Sequence, residues 1–128
     1  MRIAYAVPLA FVAGIGIGGF AVQTLHAQAK PPVYTVTEID VTNIEAYSKE
    51  YAPLAQASIK SSGGKLLAAG QKVTSLEGDP PKPRVAIQMW DSLETAQKWR
   101  NSDEYKKARE VGNKYAKFRA YAIEGLPQ

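Results

Sequence analysis

Four side chains on predicted strands could move a proton or hold an anion: Tyr34, Glu38, Arg84 and Gln88. A carboxylate such as Glu38 is a common general base, and a phenol such as Tyr34 can donate to a developing oxyanion. The planar guanidinium of Arg84 can clamp a carboxylate or an enolate. Each has a structural alternative. Arg84 can close an ion pair at a subunit seam, and Glu38 can be a solvated or salt-bridged edge residue. Trp90 and Trp99 can line an apolar pocket or fill the core between helix and sheet, because aromatic rings bury the most surface per residue. Tyr47, Tyr51, Tyr105 and Tyr115 fall at helical spacing and read as core-edge residues. Tyr34, Glu38, Arg84, Gln88 and Trp90 are expected nearest any ligand. Residue type and spacing alone assign no catalytic role.

The residues that are missing narrow the chemistry. The chain of 128 residues has no cysteine and a single histidine, His26. That excludes disulfide staples, Cys-rich zinc sites and a thiol nucleophile. A haem needs an axial His, Cys, Tyr or Met. Met89 is the only methionine beyond the first residue, and a methionine on a strand reads as core filler. Asp103-Glu104 and Glu77-x-Asp79 read as solvated acids, so neither a metal nor a cofactor is expected. The net charge of +4 comes from 16 basic and 12 acidic residues. The basic residues are dispersed and form no stripe, which makes nucleic acid a poor partner.

These side chains need elements to hold them, and the first segment supplies none. Arg2 is the only charged residue before Lys30. The uncharged run 4–22 is long enough to cross a bilayer as a helix. It leads to Ala27-Gln28-Ala29, which fits the small-residue box of a secretory signal. Residues 1–29 therefore read as a signal peptide cleaved after Ala29, giving an exported protein, periplasmic or secreted. A retained anchor is the alternative, and membrane contact runs only through this segment if it is uncleaved. The glycines at 14–19 formally match a dinucleotide fingerprint, but they lie inside the apolar run and the next acid is Glu38. Nucleotide binding is rejected on that ground.

Residues 30–128 read as one domain. Residues 33–40 are rich in β-branched and aromatic types and are bounded by Pro31-Pro32, a strand signal. Its faces would be Val33, Thr35, Thr37 and Ile39 on one side, and Tyr34, Val36, Glu38 and Asp40 on the other. Residues 43–62 carry a helical period with Pro53 inside it, which predicts a kink or break near Ala52. Gly63-Gly64 ends that helix. Residues 65–69 form a short strand, Gly70 turns or bulges it, and residues 71–76 continue it. Residues 84–90 form a strand, 93–100 and 104–117 form helices, and 118–124 form the last strand. The order β-α-β-β-α-β is the ferredoxin-like α+β pattern. One sheet face takes the helices. The other would keep Tyr34, Val36, Arg84, Trp90 and Tyr121, or their opposite-parity neighbours. A bare face with large side chains wants a partner, and a homodimer of C2 symmetry is expected.

Several short motifs, in order, resemble one family of small domains. They are Tyr34, Asp40-Val41-Thr42 with Tyr47, Gly63-Gly64 with Lys65 and Leu67, and Leu76-Glu77-Gly78. Arg84, Ser92-Leu93-Glu94-Thr95-Ala96, Trp99, Ser102-Asp103-Glu104-Tyr105 and Glu124-Gly125 follow. Each is weak alone; together they are similar to the DUF1330 family of the dimeric α+β barrel group. The resemblance implies a ferredoxin-like fold dimerised through its sheets into a barrel, with no settled activity. Related groups on that fold include haem-degrading and antibiotic-biosynthesis monooxygenases, dismutases and decarboxylases, which is analogy at the level of fold. Two residues depart from the pattern. Gln88 stands where many members place a glutamate, and Gly112 where an arginine is often found. A signal-bearing, exported member is also less usual. The expected function is binding of a small apolar or weakly anionic ligand near the sheet face. The alternatives are a cofactor-independent enzyme of isomerase, decarboxylase or monooxygenase type, and a structural or stress-related protein with no pocket. Whether the protein is an enzyme stays open at this level.

Overall fold

The computed structural model describes residues 30–127. The expected signal peptide, its cleavage after Ala29, export and the conditional membrane contact all fall on residues 1–29, outside the described residues. Among the described residues, no helix is long and apolar enough to cross a membrane.

The first strand, β1 (Val33–Val41), alternates strictly between buried and half-buried side chains up to Asp40. Val33, Thr35, Thr37 and Ile39 point inward, as their parity predicts. Asn43 caps the next element, its side chain accepting from the Ala46 N–H at 3.1 Å. One helical run follows in three parts: α1 (Ile44–Ala46), a π-helical turn (Tyr47–Tyr51) and α2 (Ala52–Ser61). The expected kink takes this form because Pro53 has no N–H to continue the ordinary ladder. The helix widens by one residue, and the Ala52 N–H bonds to the Tyr47 carbonyl. Gly63, at a φ of +87°, turns the chain out of α2 in the left-handed conformation that glycine accepts without a Cβ penalty.

The second strand, β2 (Lys65–Gly70), stops earlier than its sequence suggests. Residues 71–76 do not extend it. The chain turns tightly after Gly70, with the Val73 N–H on the Gln71 carbonyl at 2.8 Å, and 71–83 run as a loop. Then come β3 (Arg84–Trp90), α3 (Leu93–Asn101), α4 (Asp103–Tyr115) and β4 (Ala116–Glu124). Ser92 and Ser102 cap α3 and α4, accepting from the Thr95 and Tyr105 N–H groups at 3.1 Å each.

The strands form one antiparallel sheet in the order β2-β3-β1-β4, so the fold is α+β. The barrel implied by the resemblance is corrected here. The sheet is open, with β2 and β4 as its edges, and no strand pairs across to close it among the described residues. The homodimer expected from the bare face and from the resemblance is withdrawn with the barrel, as nothing among the described residues supports an oligomeric state. Register also corrects the expected faces. Thr35 pairs with Gln88 and Thr37 with Ala86, which places Arg84, Ala86, Gln88 and Trp90 on the helix side. The bare side carries Tyr34, Val36, Val85, Ile87 and Tyr121 instead.

Two clusters fill the space under the helices. One joins Ile39, Tyr47, Tyr51, Ala55, Ala108 and Ala116; the other joins Ile59, Trp90, Ala96, Trp99 and Tyr105. Trp90 stacks on Trp99 with ring centroids 4.9 Å apart, and Tyr105 sits 4.4 Å from Trp99. Gly64 makes this stack possible. A Cβ there would lie 2.5 Å from the Trp90 ring, which is 1% exposed and has nowhere to move. Gly64→Ala should therefore cost about 1–3 kcal/mol by overpacking, read as a lower midpoint in urea denaturation. A midpoint equal to the native protein's would mean that the Trp90 ring yields.

Candidate functional site

Between the sheet and the helices lies a cavity of about 60 Å³. At about 30 Å³ per water in the liquid, it holds roughly two waters or the head of a larger ligand. Thr37, Arg84, Ala86 and Gln88 line it from the sheet, Tyr47 and Tyr51 from the π-helical turn, Gln56 from α2, and Trp99 and Tyr105 from the other helices. Every polar group in that lining is a neutral donor or acceptor except Arg84, and there is no carboxylate.

The π-helical turn sets the phenols. Its extra residue per turn brings both Tyr47 and Tyr51 inward, with ring centroids 5.1 Å apart. The guanidinium of Arg84 lies 5.1 Å over the Tyr47 ring. Burial pushes the Tyr47 phenol above its ordinary value, and the Arg84 charge pulls the other way without prevailing. Burial raises Tyr51 much further, helped by the Tyr105 phenol beside it. Both phenols hold their protons at neutral pH. They are hydrogen-bond donors here, not bases.

Gln88 is only 4% exposed. Its oxygen accepts from the Thr35 hydroxyl at 2.6 Å, and that hydroxyl accepts from the Trp90 indole N–H at 3.0 Å. With the oxygen committed, the amide N–H groups are what Gln88 has left to offer a ligand. Tyr51 depends on Gly112 in α4. A Cβ at that position would lie 2.6 Å from the Tyr51 ring and 3.1 Å from Phe118. Glycine at 112 is thus matched to the inward phenol.

The five residues expected nearest a ligand divide between the two faces. Arg84 and Gln88 line the cavity, while Trp90 lies in the core beneath it, stacked and out of reach of a ligand. Tyr34 and Glu38 lie on the bare face. Glu38 is engaged there, accepting from Arg119 at 2.5 Å and from the Lys82 backbone N–H at 3.2 Å, so it fastens β4 and the 71–83 loop to β1. A wide cleft of about 830 Å³ opens between that loop and the bare face, floored by Val36, Val85, Ile87 and Tyr121, and both Glu38 and Arg84 reach its lining. Its carboxylate is already occupied by Glu38's two partners. Tyr47, Tyr51 and Tyr105 were expected only as core-edge residues. For Tyr47 and Tyr51 the accompanying signal in the sequence is Pro53, two residues after Tyr51; Tyr105 lies on α4 and has no such signal.

Residues 32–126 match the family described as Domain of unknown function (DUF1330). No curated protein matches the chain. Among solved structures, a protein of unknown function from Rhodopseudomonas palustris is 17% identical, with a TM-score of 0.63 over 77% of this chain and 85% of that one. SnoaB, a cofactor-independent oxygenase from Streptomyces nogalater, is 10% identical, with a TM-score of 0.57 over 77% and 96%. A protein from Nitrosomonas europaea described as a candidate antibiotic biosynthesis monooxygenase is 17% identical, with a TM-score of 0.56 over 76% and 92%. At these identities the likeness is one of fold.

Two measurements check the phenols. An unfolded tyrosine ionises near 10.0, whereas native Tyr51 keeps its proton to higher pH. The unfolded state therefore loses its proton first, and stability should fall as pH rises past 10.0, by up to about 1.4 kcal/mol per pH unit for each such phenol. Tyr51→Phe should flatten that slope; an unchanged slope would mean that Tyr51 reaches solvent. Gly112→Ala should lower the urea midpoint by the equivalent of about 1–3 kcal/mol, and Tyr51→Ala in the same chain should relieve the clash and make the two changes less than additive.

Proposed function

The chain belongs to the DUF1330 family, and we propose that it is a cofactor-independent enzyme of oxygenase type. Its substrate would be a small enolisable or phenolic molecule whose oxyanion sits in the cavity under the helices. The observation that carries this reading is the donor set. One guanidinium, two protonated phenols and a buried amide meet in a small space without a carboxylate.

Such a set suits charge that develops during a reaction. Donors fixed in a dry site stabilise an oxyanion without having to reorganise. A resident carboxylate would repel that charge, and Gln88 avoids one. A purely apolar ligand would leave Arg84 and the phenols unused, so a ligand held here without reaction would have to be an anionic one. The fold shared with SnoaB and the Nitrosomonas europaea protein supports the same direction.

The chemistry can be written without a bound cofactor. The substrate loses a proton to solvent and becomes an enolate, with its O⁻ held by Arg84, Tyr47 and Tyr51. Its carbanionic carbon passes one electron to molecular oxygen, and the radical pair collapses to a carbon–oxygen bond. The resulting peroxide takes up a proton and expels water. A methylene and O₂ become a carbonyl and H₂O, so atoms and electrons balance. The protein contributes by stabilising the enolate and excluding bulk water from it.

Oxygen uptake with a panel of 1,3-diketones and polyhydroxylated arenes tests this. At least one should be consumed with one O₂ per turnover. Arg84→Gln should lower kcat/KM by about 10²–10³, while its circular dichroism stays native. No uptake above the buffer rate across the panel, or equal rates in Arg84→Gln, would overturn the reading.

A further inference from the structure

On the outer side of α3 and α4, away from the cavity, two arginines converge on one phenol. Arg100 donates to the Tyr105 oxygen at 3.2 Å and Arg109 donates to the same oxygen at 3.3 Å. Both arginines are half-buried. Among the described residues, neither forms an ion pair with a carboxylate; the ion pairs are Lys49–Glu45, Lys98–Glu94 and Arg119–Glu38. A neutral phenol cannot neutralise two cations, so their mutual repulsion stands uncompensated in a partly desolvated place.

The two forks are nonetheless held in fixed planes. Arg100 lies over the rings of Tyr105 and Trp99, at 5.3 and 5.9 Å. Arg109 lies 3.9 Å over the Phe118 ring, and its Nε donates to the Asn113 side-chain oxygen at 2.9 Å. Each guanidinium has five N–H groups, and most of these have no partner among the described residues. A groove of about 350 Å³ runs past them, lined by Arg100, Tyr105, Lys106, Arg109, Glu110 and Asn113. Glu110 shares this groove without pairing with either arginine.

We propose that Arg100, Lys106 and Arg109 form a binding site for an oxyanion group, a phosphate or a carboxylate, in this groove. Two pre-positioned planar forks offer paired N–H donors to such a group, and Lys106 adds a mobile third charge. The bound anion supplies the counter-charge that the phenol cannot. Glu110 at the rim sets a limit, favouring a compact anion seated on the arginines over a broad acidic surface. The site rests on observations other than those behind the oxygenase reading, although the two adjoin through Tyr105 and the Arg109 charge reaches Tyr51.

The test is titration of the full chain with inorganic phosphate and, separately, with succinate, at ionic strength held constant with sodium chloride. Calorimetry and tryptophan fluorescence are the readouts, because Arg100 lies against Trp99. A saturable response is expected in at least one arm, and the arm that saturates at lower concentration identifies the anion. Arg100→Gln should weaken that binding at least tenfold, and Lys106→Gln two- to fivefold. Lys106 is exposed, so its variant reads the site even if loss of an arginine disturbs folding. No saturation in either arm, or native affinity in both variants, overturns the proposal.

Discussion

An indole N–H buried beneath the helices must find an acceptor, and much of this structure follows from where Trp90 finds one. Trp90 is 1% exposed, and its N–H reaches the Thr35 hydroxyl on the neighbouring strand. Leaving such a donor unpaired would cost about 1–3 kcal/mol. Thr35, having accepted, turns its own proton to Gln88. One requirement therefore fixes three side chains across β1 and β3 and settles which end of Gln88 faces the cavity. The second indole repeats the solution across the helices. Trp99 donates to the Ser58 hydroxyl, which donates in turn to the Ala55 carbonyl, and this ties α3 to α2 over the stacked rings.

The frame built on that stack was legible in the sequence wherever local pattern and tertiary context agree. The alternation in β1 was legible as two faces, and the structure puts Val33, Thr35, Thr37 and Ile39 on the inward one. Ser92 and Ser102 cap α3 and α4 without an acid at the third helical position to complete a reciprocal capping box. Parity within β3 could be read, but not which parity faces inward. That choice is made by pairing with β1, and it moved Arg84 and Trp90 to the helix side. Residues 71–76 misled because Val73 and Thr74 are types that suit a strand. Nothing local to them announces that β2 ends at Gly70, where the chain turns away from its only neighbour, β3.

The cavity itself was less legible, for a geometric reason. Tyr47 and Tyr51 are four residues apart, the ordinary spacing of a core stripe. That spacing puts both rings on one face, and the π-helical turn next to Pro53 sets the phase at which that face meets the sheet. Single-turn insertions of this kind recur at functional sites because they re-aim side chains without breaking the helix. The inward position of Tyr51 then needs an absent Cβ across from it, at Gly112. Pro53 and Gly112 are thus two halves of one arrangement, separated by most of the domain and linked only through the fold.

Charge completes the argument. A glutamate at position 88 would sit in the same cavity as Arg84 and give it a counter-charge. Burying a carboxylate there would need that pairing, because an isolated buried charge is expensive. Glutamine keeps the hydrogen bond from Thr35 and removes the charge. Arg84 is left half-buried, above the Tyr47 ring, with no acid among the residues lining its cavity. A ring face attracts a cation but does not neutralise it. With glutamine at position 88, the cavity holds a cation and no acid of its own. A group entering this cavity meets one guanidinium, neutral donors and no resident acid, an environment that costs a carboxylate or enolate less than it costs a second cation.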